Sequence, residues 1–189
     1  MKRKGFTLVE LLIVIVVIGI LSAMMMLSST EAVTSAKASN IVSNLRNLKT
    51  AALAYYVDNL DYLESTTATA NNTTSLNLYD VAATGTDAAR KGIRAYLNES
   101  SGTVDSDNNT FTTDGFVYGI VVVLRTGGGT KLADAKWYLT CKVTDTKVQE
   151  KLAGRAKSVG LLKETKQTDA EGGAYAAGTA ENTVYYLVR

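Results

Sequence analysis

An apolar stretch that admits a single acid fixes most of what this chain can become. From Leu11 through Leu27 there is no charge, a run of about 26 Å at roughly 1.5 Å per helical residue. Adding Phe6–Val9 brings it to the thickness of a bilayer core, about 30 Å. Glu10 sits inside that stretch, where a carboxylate costs about 2.5–3.5 kcal/mol on insertion scales, so it calls for a compensating partner. Lys2, Arg3 and Lys4 lie immediately ahead, and the positive-inside rule holds such residues on the cytoplasmic face. A signal anchor or a secretory signal peptide shares the basic start and apolar core. Against a secretory signal, Glu10 stands where an uncharged core should begin, and Ser22-Ala23 runs into Met24–Met26 without a convincing small-x-small site.

The string Lys4-Gly5-Phe6-Thr7-Leu8-Val9-Glu10-Leu11-Leu12-Ile13-Val14-Ile15, followed by Gly19-Ile20-Leu21, resembles the start of the type IV pilin and type II secretion pseudopilin family. The resemblance implies that residues 1–5 are a leader, cut by a prepilin peptidase between Gly5 and Phe6. Phe6 then becomes the N-terminal residue and is N-methylated. It further implies a transmembrane and filament-core helix over 6–30, and a globular domain over 31–189 that includes the second half of the same helix. The fold class is α+β, a long N-terminal helix packed on a small antiparallel sheet. Glu10 falls where the family carries its acid. Cleavage would expose a charged amine on Phe6, and a buried charge is tolerable when paired and costly when alone. Glu10 is therefore expected to act in assembly by pairing with a Phe6 amine, across subunits.

Composition narrows the chemistry. With 189 residues, the part beyond the span has the size of one ordinary domain. The formal charge is +2, but without Lys2, Arg3 and Lys4 the acids outnumber the bases by one. Such a balance gives no general argument for nucleic acid or an acidic surface. Cys141 is the only cysteine, so no intramolecular disulfide can form, and histidine, the commonest general base, is absent. Proline is absent too, so Leu27, where many pilins carry Pro, gives the helix no breaker. Gly19 and Ser28-Ser29-Thr30 are the weaker points.

Beyond Thr30 the pattern turns amphipathic. Val33, Ile41, Leu45, Leu48, Ala52, Tyr55 or Tyr56, Leu60 and Leu63 recur at three- and four-residue spacing. This predicts one helix from about Thr7 to Leu63. Residues 65–83 read as a surface loop, Asp87–Asn98 as a short helix and Ser100–Asp114 as a polar loop. Strands are expected at Phe116–Leu124, Lys136–Val143 and Thr183–Val188, with a turn over Thr126–Gly129. In Lys136–Val143, Trp137, Leu139, Cys141 and Val143 share one face, and Lys136, Tyr138, Thr140 and Lys142 the other. Cys141 thus reads as a core residue. Val148–Leu162 reads as a second short helix, and Ala170–Gly178 as a small-residue loop. Helix first and strands later argues α+β.

Three further groups invite chemistry. Asp105, Asp107 and Asn109 offer alternating oxygen ligands for calcium, but Thr110 replaces the turn glycine of an EF-hand loop and Phe116 its bidentate Glu. A solvated turn is the default, and no cofactor is expected. Lys147, Lys151 and Arg155 fall at every fourth residue and could meet phosphates. No aromatic residues interleave them for base stacking, so a solvated helix face is the better account and nucleic acid is not expected as a partner. Gly127-Gly128-Gly129 lacks the Lys-Ser/Thr pair of a phosphate loop and reads as a turn. No nucleophile, base and orienting acid come together, so no enzyme is expected.

The expected function is structural. The chain would be inserted in the cytoplasmic membrane, processed by prepilin peptidase, passed through an assembly platform and polymerised with its own copies into a surface filament for adhesion, motility or DNA uptake. The nearest alternative is a pseudopilin in a periplasmic pseudopilus serving secretion. A different class is a signal-anchored binding domain that does not polymerise.

Overall fold

A computed structural model describes residues 5–65, 73–75, 92–97, 103–104, 110–124, 131–164, 173–178 and 182–189. Helix α1 runs from Leu8 to Asp58, 51 residues without interruption and about 77 Å long. Gly19 and Ser28–Thr30 lie within unbroken helix. The expected end at Leu63 is not reached. At Asn59 the backbone N–H and the side-chain amide both donate to the Tyr55 carbonyl, at 3.1 and 2.9 Å. Asn59 leaves helical geometry at φ −117° and ψ 24°, where a side chain that shares a helical carbonyl weakens the helix, and α2 (Leu60–Ser65) restarts beyond it.

Seven antiparallel strands follow among the described residues: β1 (Thr73–Ser75), β2 (Thr103–Val104), β3 (Thr110–Thr113), β4 (Phe116–Val123), β5 (Lys136–Lys142), β6 (Leu161–Leu162) and β7 (Thr183–Leu187). Their order is β2-β3-β4-β5-β7-β6, with β1 also paired to β4. One edge of β4 takes β3 along Phe116–Gly119 and β1 along Val121–Val123, while the other edge takes β5. The result is the α+β, pilin-like architecture of a long N-terminal helix on an antiparallel sheet.

Two expected loops therefore contain strands. The loop over 65–83 holds β1, and the polar segment over Ser100–Asp114 holds β2 and β3. The hairpin signal was present in Asp114-Gly115, both at positive φ, 52° and 77°, as a two-residue hairpin turn demands. The helix expected over Asp87–Asn98 is described only at Ile93–Tyr96, as a single tight turn; residues 87–91 and 98 lie outside the described residues. Thr126–Gly129 also lies outside them.

Ile41, Leu45, Leu48, Ala52, Tyr55 and Leu63 are buried as the periodicity demands. Val33 and Leu60 are exposed instead: Val33 precedes the domain, and Leu60 follows the break that rotates the chain at Asn59. On β5, Trp137, Leu139 and Cys141 face the helix as expected. Tyr138 is buried as well, flanked across the outer face by Val121 of β4 and Leu187 of β7. Trp137 donates to the Leu132 carbonyl at 3.3 Å and meets Tyr56 edge-on at 5.6 Å.

Helix α3 (Thr146–Val159) is capped by Asp145, whose carboxylate accepts from the Lys147 and Val148 amides, and ends at Gly160 in the left-handed region. The predicted helix to Leu162 is thus cut short, and Leu161-Leu162 turn into the sheet. Without a disulfide, the C-terminus is held by pairing. Val188 donates to Trp137, Trp137 donates to Arg189, Lys49 donates to the Leu187 carbonyl at 3.0 Å, and the Arg189 guanidinium lies 4.0 Å over the Tyr56 ring.

Candidate functional site

The residues singled out at the N-terminus lie where the chain changes from extended to helical. Gly5 and Phe6 are exposed and non-helical, so the peptide bond between them is open to a protease that needs an extended substrate. Nothing in the fold calls for glycine at position 5: its backbone is not in the left-handed region, and an added Cβ would meet no atom within 4 Å. Lys2, Arg3 and Lys4 lie outside the described residues.

Thr7 caps α1. Its backbone N–H and its hydroxyl each donate to Glu10 Oε2 at 2.8 Å, and the Glu10 amide donates to Thr7 Oγ1 at 3.2 Å. This reciprocal capping box satisfies backbone donors that a helix start otherwise leaves open. Phe6 is still amide-linked to Gly5, so no free amine exists for Glu10 to meet, and Thr7 holds the carboxylate instead. Thr7 is the partner of Glu10 that the reading of Glu10 as a charge does not include. The signal was the Thr-x-x-Glu spacing of Thr7-Leu8-Val9-Glu10.

Behind this start, α1 is long and apolar enough to cross a membrane, and its apolar stretch is wholly unburied. Phe6 is 87% and Met26 77% exposed. Among the described side chains of α1, the first buried one is Thr34, followed by Ala38. One end of the helix thus belongs to its domain, and the other presents apolar side chains to whatever surrounds it.

The other candidates separate. Asp105, Asp107 and Asn109 lie outside the described residues, as does Gly127–Gly129. The basic triplet does not act as one face. Lys147 and Lys151 are exposed, whereas Arg155 turns onto α1 and donates to Ser39 Oγ at 2.8 Å and Ser35 Oγ at 3.2 Å. Cys141 is fully buried opposite Tyr118, and burial pushes its thiol up to about 12. Such a thiol stays protonated and unreactive at neutral pH.

Residues 1–26 match the family model of the prokaryotic N-terminal methylation motif, the signal of type IV pilins and pseudopilins. The motif is a prepilin peptidase cleavage site, and pilin-type proteins assemble into filaments. They are structural rather than catalytic proteins. No curated protein and no solved structure matches the chain.

Proposed function

Taking the chain as a precursor of the type IV pilin and pseudopilin kind, we propose that it is the structural subunit of a type IV pilus. It is anchored in the cytoplasmic membrane, cut between Gly5 and Phe6, N-methylated on Phe6 and polymerised into a helical surface filament for adhesion, motility or DNA uptake. The observation that supports this best is the division of α1, which buries its second half in the domain while its apolar first half is left uncovered behind a cleavable start. In the membrane that first half is solvated by lipid. In a filament, neighbouring copies replace the lipid.

Glu10 changes partner along this route. In the precursor it accepts from Thr7. After cleavage it faces the new Phe6 amine of a neighbouring subunit, so a carboxylate held by neutral donors becomes one paired with an opposite charge. The chain carries no catalytic role in this reading. Mass spectrometry of the protein from cells tests the processing step: the expected species begins at methylated Phe6, and an intact Met1 sinks the reading. Electron microscopy of sheared cells tests the assembly. Long surface fibres containing this chain are expected, and their absence, with a secretion defect on deletion, would point to a pseudopilus.

A further inference from the structure

The domain is electrically polar along α1. Helix α3 meets α1 at Ser35 and Ser39 through Arg155, and Gln149 ties it to Val143 and Asn182. Asn44 meets Tyr118 near that end of the sheet, whereas Tyr56 meets Trp137 near the other. The end carrying α3 is therefore the one nearest the membrane span. Val148, Gln149, Leu152 and Ala156 face inward from α3, which leaves Lys147, Lys151 and Lys157 on its outer side, all exposed. With exposed Lys37 and Lys142 they exceed by one the exposed acids of that end, Glu31, Asp114, Asp145 and Glu150, and Asp145 is committed to the α3 cap.

Among the described residues the opposite end carries the reverse sign. Exposed Asp61 and Glu64 lie on α2, which packs on the Leu132–Asp134 turn with exposed Asp134. Among the described side chains at that end the bases are exposed Lys131, exposed Arg189, which lies on the Tyr56 ring, and half-buried Lys136. The two faces are separated by about 30 Å along the helix axis, counting from Ser39 to Asp61.

A contact between two different faces of one chain is heterologous, and when its rotation does not close a ring it propagates as an open helical filament. We propose that the α3 face of one subunit docks on the α2 face of the next, with Lys147 and Lys151 against Asp61 and Glu64 as the pairs that set polarity and register. This rests on the filament reading above. Complementary charge speeds encounter, and repulsion between like charges rejects the wrong orientation.

Reciprocal charge reversal in the full chain, expressed in cells, tests the docking. Lys147→Glu with Lys151→Glu is expected to lower the yield of sheared filament about tenfold or more, the effect of a single decade in affinity. Asp61→Lys with Glu64→Lys should do the same, and the four changes together should restore yield to within about threefold of the parent chain on the same affinity scale. Immunoblots of the membrane fraction would confirm that each variant accumulates. Full yield from either double variant overturns the docking, as does a loss that the fourfold variant fails to recover. Failure of the parent chain itself to form filaments would sink the pilus reading together with this one, so the two failures can be told apart.

Discussion

From Phe6 to Met26 the described chain buries no side chain, whereas from Ala38 to Tyr55 it places one in the core at nearly every turn, along the same unbroken α1. The two halves have the same backbone and different solvents. In the second half, polar residues between the apolar positions confine burial to one stripe, and the sheet covers that stripe. In the first half, apolar residues lie all round the helix, so no single sheet face could cover them. A helix apolar on every side needs a surrounding that is apolar on every side, and lipid or a bundle of identical helices supplies it. The halves should therefore respond to mutation in opposite ways, assembly failing in one and folding in the other.

The largest effect is expected from Glu10→Ala. Filament should be lost while the thermal midpoint of the globular domain stays unchanged, measured by shearing and by circular dichroism. Normal filaments would remove Glu10 from assembly. Leu45→Ala is the converse. It deletes a fully buried side chain and should cost about 2–5 kcal/mol, seen as a lower unfolding midpoint before any effect on processing at Gly5–Phe6. A Leu45→Ala chain as stable as its parent would mean that the second half is not the core element described above.

Much of this division was legible in the residues. The uncharged run, Glu10 and the three- and four-residue spacing located both halves, and the alternation in Lys136–Lys142 located the central strand and put Cys141 inside. The misses have local causes. Asn59 occupies an ordinary position in the amphipathic pattern, and only its side-chain bond to the Tyr55 carbonyl marks the break. Asp114-Gly115 and Gly160 are turn and cap signals that outweighed the polar composition of one segment and the apolar residues of the other. Burial of Tyr138 depends on strand order, which no local pattern carries. Glu10 stands out as a charge, whereas its second role, in the cap with Thr7, is carried only by the Thr-x-x-Glu spacing.

A third test concerns the domain half alone. Gln149 is buried, its amide donating to the Val143 carbonyl at 2.7 Å and to Asn182 at 2.9 Å, and its oxygen accepting from Gly178. Gln149→Leu leaves these groups without that partner and should destabilise by about 1–3 kcal/mol. An unchanged midpoint in urea would show that water replaces the amide without loss. Alkali should act on the same half through Cys141. Its folded pKa lies near 12 against an ordinary 9.0, so the proton is held more tightly in the folded chain. Stability is then intact below pH 9 and falls as pH rises toward 12. Cys141→Ala should flatten that decline, and an equal decline in both chains would assign it to other groups, the buried Tyr118 hydroxyl among them, which burial also pushes upward.

The smallest effect is expected at Thr7, and it sharpens the comparison most. Thr7→Val removes the hydroxyl that donates to Glu10 and accepts from its amide, while the backbone donor at 2.8 Å remains. Loss of a cap of this kind costs about 1 kcal/mol, less than a tenfold change in an equilibrium. The same substitution also frees the carboxylate for a new partner, which opposes that loss. Filament yield should therefore shift by less than tenfold on that scale, with the domain's midpoint untouched. If Thr7→Val instead abolished filaments as fully as Glu10→Ala, the cap rather than the charge would be what assembly requires. Glu10→Gln then decides between them, because it keeps an oxygen to accept from Thr7 but has no charge to offset an amine.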